Sequence, residues 1–216
     1  VIFAEIVFPN SPTAFTFASE IENLEPGDLV SAPLRAKILN GVVVGISEIE
    51  PKFATRKVEK IIRKKVLSAE RVELAKFICE YYCANFGKVL KLFLPARIWS
   101  DEPAKRKSKI TEILASEQPA KKLTVAQKKV FDAIEKSAKP ILLRGITGSG
   151  KTEIYLRVIL NVLKKGKSAI LLVPEIALTP QLVGYFAATI PKSEIAVLHS
   201  NLSEGEKLNS WERIHS

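Results

Sequence analysis

Eight consecutive residues, Gly145-Ile146-Thr147-Gly148-Ser149-Gly150-Lys151-Thr152, have the types and spacing of a loop that cradles phosphate. Glycines let a backbone curl until successive amides point at one spot, and a helix beginning there adds its partial positive charge. A lysine at this place reaches β- and γ-phosphates, and the hydroxyl after it serves a Mg2+ that bridges the same oxygens. Lys151 and Thr152 are therefore the candidate catalytic pair, with Thr152 the candidate metal contact. Gly145, Thr147, Gly148, Ser149, Gly150 and Glu153 complete the candidate nucleotide-binding loop around them. Gln127, 18 residues before Gly145, carries an amide whose paired donor and acceptor suit an adenine edge.

Such a loop needs a buried strand before it and an amphipathic helix after it. Ile141-Leu142-Leu143 supplies the first, and the face Ile154, Tyr155, Val158, Ile159, Val162 and Leu163 supplies the second. A helix over Thr124 to Ser137 precedes them. Further apolar strands at Ala169 to Val173 and Ile195 to Leu198 alternate with helices at Gln181 to Thr189 and Ser203 to Ile214. Continuous apolar strands alternating with helices predict a parallel sheet covered on both faces. Leu172 to Gln181 and Leu198 to Ser203 then fall at the carboxyl ends of strands, where open α/β sheets bind ligands; ordinary turns capped by Thr179 and Ser203 are the other reading.

The first half has another texture. Strand patterns at Val1 to Phe8, Phe15 to Ala18, Leu29 to Leu34 and Gly41 to Ile49 are separated by turn signals such as Pro26-Gly27-Asp28 and Asn40-Gly41. From Ala69 the period becomes helical, with Val72, Ala75, Cys79, Tyr82, Cys83 and Phe86 on one face and a stop near Leu94-Pro95. Both cysteines lie on that stripe as reduced packing residues; a metal would need further ligands, and His199 and His215 are distant in sequence. Expected domains are a β-rich domain over 1–98, a basic linker over 99–122, and the α/β part over 123–216.

Charge is unevenly spread. Residues 1–50 carry a net −5, residues 51–129 a net +12 and residues 130–216 a net +3. The basic middle suits a polyanion, whose condensed counterions are released on contact, or else it is a solvated lysine-rich surface. With 47% apolar residues and no apolar run of membrane-spanning length, neither a disordered chain nor an inserted one is expected. No methionine occurs, the first residue included, as expected for a piece or a processed form of a longer chain.

The loop with the Glu-Ile-Tyr-Leu after it, Leu172-Val173-Pro174-Glu175-Ile176-Ala177-Leu178-Thr179-Pro180-Gln181, and Leu198-His199-Ser200-Asn201-Leu202-Ser203 with Trp211 beyond closely resemble the primosomal protein N′ (PriA) family of bacterial replication-restart helicases. Glu80-Tyr81-Tyr82, Phe86-Gly87-Lys88-Val89-Leu90 and Leu94-Pro95 extend the likeness into the first domain. The resemblance implies a DNA-binding domain for the 3′ end of a nascent strand, joined to the first part of a RecA-like motor that uses ATP and Mg2+ to move 3′ to 5′. It implies DNA contacts at Phe15, Thr16, Lys60, Thr179, Gln181 and Ser200, with Thr16 standing where the family has an acid and Arg35 where it has a small residue. Forked and single-stranded DNA, other primosome proteins and single-strand-binding protein are the partners implied, in the bacterial cytoplasm with no membrane. The family's Asp-Glu-Glu-His segment, zinc-binding cysteines and second lobe would lie beyond Ser216, so no zinc site is expected in this chain and the piece alone is expected to be inactive. A DNA-end-binding module with a vestigial motor and a P-loop phosphotransferase are the rival readings.

Overall fold

The structure, a computed structural model, describes residues 1–100, 122–146, 148–174 and 179–215. It divides into two compact units, one formed by Val1–Ser108 with Asn201–Ser216 and the other by Lys109–Ser200. The linker expected over 99–122 falls almost wholly outside the described residues.

In the first unit the alternating runs become strands β1 (Ile2–Val7), β2 (Phe15–Ser19), β3 (Leu29–Leu34) and β4 (Lys37–Ser47), joined by a short β5 (Lys60–Arg63). They pair antiparallel in the order β2-β1-β4-β3-β5. The two outer strands are then brought together by the chain that leads into β5. Ala18 bridges Lys57 in parallel, its N–H donating to Arg56 O at 2.9 Å and its carbonyl accepting from the Val58 N–H at 2.9 Å. A sheet whose edges meet in this way exposes little unpaired backbone. Ile6, Phe8, Phe17, Val30, Val43 and Val58 form one buried cluster.

A second cluster lies between the sheet and the helices, around Val7, Leu29, Val42, Leu67, Leu90 and Leu94. The predicted single helix is two: α1 (Ala69–Tyr82) and α2 (Phe86–Phe93). Ser68 caps α1, which ends at Cys83 in the left-handed region (φ 49°), and the Asn85 side chain accepts from the Lys88 N–H at 3.0 Å to start α2. That break turns Tyr82 and Cys83 outward. Both are exposed, and only Cys79 of the two cysteines packs against the core. Burial pushes its thiol pKa up.

The last helix, α6 (Glu204–His215), belongs to this first unit rather than to the α/β part where its sequence had placed it. Leu208 and Trp211 are buried in the second cluster, and the Trp211 indole donates to Phe93 O at 3.1 Å.

In the second unit the expected helices form as α3 (Val125–Lys136), α4 (Lys151–Lys164) and α5 (Thr179–Ala187). The fold class stands as a β-rich domain followed by a P-loop α/β part. The three apolar segments between its helices carry no strand pairing among the described residues. The second of them nevertheless alternates in exposure, with Ile170 and Leu172 89% and 88% exposed and Leu171 39%, and Leu171, Leu172 and Val173 border a cavity of about 360 Å3 walled by Ile159, Leu182 and Phe186. The walls of that cavity come from α4 and α5.

Candidate functional site

The phosphate-loop motif sits where it must, at the N-terminus of α4. Gly148 and Gly150 both have φ +80°, a region that glycine enters freely, and Gly150 is the residue that starts the helix. A Cβ on Gly150 would lie 2.2 Å from Gln127 Nε2, the end of a flexible side chain that can swing aside, so it is the positive φ that asks for glycine there. Gly148, Ser149, Gly150 and Thr152 line a cavity of about 770 Å3, a volume that suits a small-molecule site. Lys151 folds back over the loop, its ammonium donating to Gly145 O at 2.6 Å and Ile146 O at 2.9 Å. An arriving phosphate offers the same ammonium stronger, charged acceptors. The loop amides, the lysine and the Thr152 hydroxyl thus fit a polyphosphate carrying Mg2+. Thr147 lies outside the described residues.

Two of the expected loop-side residues make contacts within the protein. Gln127 commits its amide oxygen to the Thr124 N–H at 2.9 Å while the Thr124 hydroxyl accepts from the Gln127 N–H, a reciprocal cap for α3. Its amide nitrogen lies 3.4 Å from Ser149 O and 3.5 Å from Gly150 O. Gln127 here braces the loop, and its amide oxygen keeps a second lone pair. Glu153 is only 6% exposed and engages α4 and α5: Arg157 Nε donates to it at 3.0 Å, and so does the Tyr185 hydroxyl. Burial, followed by that bond to a carboxylate, pushes the Tyr185 phenol up to about 12. No motif signals this contact, because its partners are 32 residues apart.

The remaining expected contacts are dispersed. Gln181, on the first turn of α5, lines the same cavity as the loop, and Thr179 opens that helix. Ser200 is exposed beside His199, whose buried Nδ1 has no hydrogen-bond partner among the described residues. Among the described residues no group of three or more His, Cys, Asp or Glu stands close enough to hold a metal ion.

In the first unit, Phe15 is 39% exposed, and its ring leans on Phe8 with centroids 6.2 Å apart. It pairs with Ile6 on β1, and Thr16 with Glu5. Lys60 pairs with Ser31 on β3 instead. Across the Ala18–Lys57 bridge Phe15 lies three residues before the junction and Lys60 three after it, a stagger of about 20 Å at the usual strand rise. The lysine that the closure brings to β2 is Lys57, which sequence reading missed. Lys57 Nζ lies 2.6 Å from Glu20, and this hydrogen bond and charge hold the Glu20 carboxyl below its usual range. Arg56 donates to the backbone carbonyl of Arg35, which has φ 57° in the β3–β4 turn. Arg56 thus ties Arg35 to the segment that closes on β2, and Phe15 and Thr16 lie three and two residues before the Ala18–Lys57 bridge.

Known proteins give this geometry a setting. Residues 6–95 match the 3′ DNA-binding domain of PriA, and residues 124–216 match the DEAD/DEAH box helicase family. The Replication restart protein PriA of Helicobacter pylori (strain ATCC 700392 / 26695) is 37% identical over 218 residues, covering 100% of this chain and 33% of that protein. This chain belongs to the PriA family. The PriA of Rickettsia felis is 36% identical over 165 residues (76% of this chain, 25% of that protein), and that of Bacillus subtilis (strain 168) is 52% identical over 98 residues (43% and 12%). The chain spans about a third of the length of the Helicobacter PriA and less of the other two. The two matches leave between them residues 96–123, which include the linker expected over 99–122.

Proposed function

We propose that this chain is the DNA-end-binding and nucleotide-binding part of an ATP-dependent 3′ to 5′ DNA translocase that restarts replication at stalled forks. The observation that carries the reading is the loop at the head of α4, with Gly148 and Gly150 at φ +80° and Gly148, Ser149, Gly150 and Thr152 lining one cavity. In it, Lys151 would leave the carbonyls of Gly145 and Ile146 for the phosphates, and Thr152 would hold Mg2+ at their oxygens. The metal supplies charge neutralisation as the terminal phosphoryl group departs. Phe15 would stack on the last base of a 3′ end, Lys57 and Arg56 would meet its phosphates, and Thr179, Gln181 and Ser200 would meet single-stranded DNA. Lys60 serves as a phosphate contact away from that end. Primosome proteins and single-strand-binding protein are the partners that family membership supports, in the bacterial cytoplasm. Among the described residues no helix is long and apolar enough to cross a membrane.

Calorimetry of ADP·Mg2+ binding tests the nucleotide half. Removing a charge-assisted bond worth ~1.5–3 kcal/mol should weaken Lys151→Ala at least about tenfold. Equal affinity of the two proteins would overturn the phosphate-loop reading.

A further inference from the structure

Glu153 is the one charged side chain among the buried polar residues of the second unit's described part. A buried carboxylate is tolerated only when its oxygens are satisfied, and here Arg157 Nε takes one at 3.0 Å while the Tyr185 hydroxyl takes the other. The carboxylate sits directly after Thr152, in the first turn of α4, where an unengaged negative charge would oppose phosphate bound at the same helix end. Its engagement leaves the loop amides to the anion.

The partner lies on the other helix that shapes the cavity. Tyr185 stands one turn after Gln181 on α5, and both line the cavity with Gly148 and Thr152. The phenol–carboxylate bond joins α4 to α5 directly, beside an apolar cluster that includes Leu156, Ile159, Leu182 and Phe186. Apolar packing has little direction, so a directional hydrogen bond is what resists sliding or rotation of α5 on α4. With its phenol pKa pushed up to about 12, Tyr185 remains a donor throughout the neutral range.

We infer that Tyr185 and Glu153 are positioning residues that register the leading turn of α5 against the phosphate loop, so that nucleotide at Gly148–Thr152 and single-stranded DNA at the Gln181 end of α5 change each other's affinity. This rests on the nucleotide reading above. Coupling of this kind is reciprocal, and factors of about 5 to 150 are usual.

The test measures ADP·Mg2+ affinity of the whole chain by calorimetry, with and without a saturating 20-nucleotide oligothymidine. Wild type should bind ADP·Mg2+ about fivefold or more tightly with the oligonucleotide present. Tyr185→Phe keeps the ring and its packing, and in it the ratio of the ADP·Mg2+ affinities with and without DNA should fall to about one. Glu153→Gln retains an amide oxygen that accepts from the phenol, and should keep most of the effect. A merely structural role would lower nucleotide affinity equally with and without DNA. Wild type that binds no nucleotide overturns the phosphate-loop reading and this inference together. Wild type that binds nucleotide and DNA without mutual effect, or Tyr185→Phe that couples as wild type does, overturns the inference alone.

Discussion

At the scale of single residues, the tightest constraints are places where backbone meets backbone. Gly87, the second residue of α2, donates its N–H to Ser11 O at 2.9 Å, and a Cβ there would lie 2.3 Å from Phe8 O, 2.5 Å from Asn10 N and 2.7 Å from Ser11 N. Alanine in a helix gains about 1 kcal/mol over glycine. Overpacking against three backbone atoms that cannot swing aside costs about 1–3 kcal/mol, and here the whole β1–β2 turn would have to move. The cost wins. Gly87→Ala should lower the stability of the first unit by up to about 2 kcal/mol, and urea denaturation followed through the first unit's signal will read it; an unchanged or raised midpoint would show that the turn yields freely. The phosphate loop is the complementary case, since a Cβ on Gly148 meets nothing within 4 Å and only its positive φ asks for glycine.

Elements show where sequence is legible and where it is not. Strands β1 to β4 are plain in alternation and turn residues, because each signal is local. β5 escapes notice: Lys60-Ile61-Ile62-Arg63 is four residues long with charges at both ends, and only its pairing with β3 makes it a strand. The break between α1 and α2 has no glycine or proline to announce it; a cysteine takes the left-handed position and Asn85 restarts the helix. Of the candidate site, the loop is legible because its function is written in eight neighbours. Lys57 beside β2 and Tyr185 beside Glu153 are not, since sheet closure and helix packing join residues 39 and 32 positions apart. The placement of α6 is equally non-local, and it makes a quantitative prediction. Trp211 is 8% exposed with its indole N–H bonded to Phe93 O, whereas Glu212 makes its pair with Arg63 at the surface, both side chains being more than 40% exposed. Trp211→Ala should therefore cost the first unit about 3–5 kcal/mol, and Glu212→Ala no more than about 1 kcal/mol. Thermal or urea melts of the two variants will separate the cases; similar small losses would mean that α6 is not part of the first unit's core.

For the whole molecule the question is how much of the basic middle is available to DNA. Residues 51–129 carry a net +12, yet the structure already pairs Lys57 with Glu20, Arg63 with Glu212, Lys64 with the fully buried Asp28, and Lys65 with Glu25. Lys64 is the most committed of these, because Asp28 also accepts from the backbone N–H groups of Glu25 and Lys65 and cannot be left unpaired in the interior without cost. The other three are exposed pairs, worth little and readily exchanged for phosphate. Each phosphate neutralised on a single strand contributes a slope of about −0.7 to log affinity against log salt, and on duplex about −0.9. The chain should accordingly show a linear salt dependence corresponding to several phosphates, and Lys64→Ala should lower stability more than it lowers the slope. Recognition of an end is a separate quantity. Stacking of Phe15 on a terminal base releases no counterions, and with one side of its ring leaning on Phe8 it contributes at the lower end of the ~1–3 kcal/mol usual for base–aromatic stacking. Fork substrates with free and blocked 3′ hydroxyls, titrated across salt with wild type, Phe15→Ala and Lys57→Ala, resolve the two. Phe15→Ala should reduce the preference for a free end about fivefold at every salt concentration and leave the slope unchanged. Lys57→Ala should make the slope on single strands shallower by about 0.7, the share of the one phosphate its ammonium no longer neutralises. A slope near zero in wild type removes the phosphate contacts. Equal affinity for free and blocked ends, unaltered by Phe15→Ala, removes end recognition at β2 and leaves the basic surface as a general DNA-binding face.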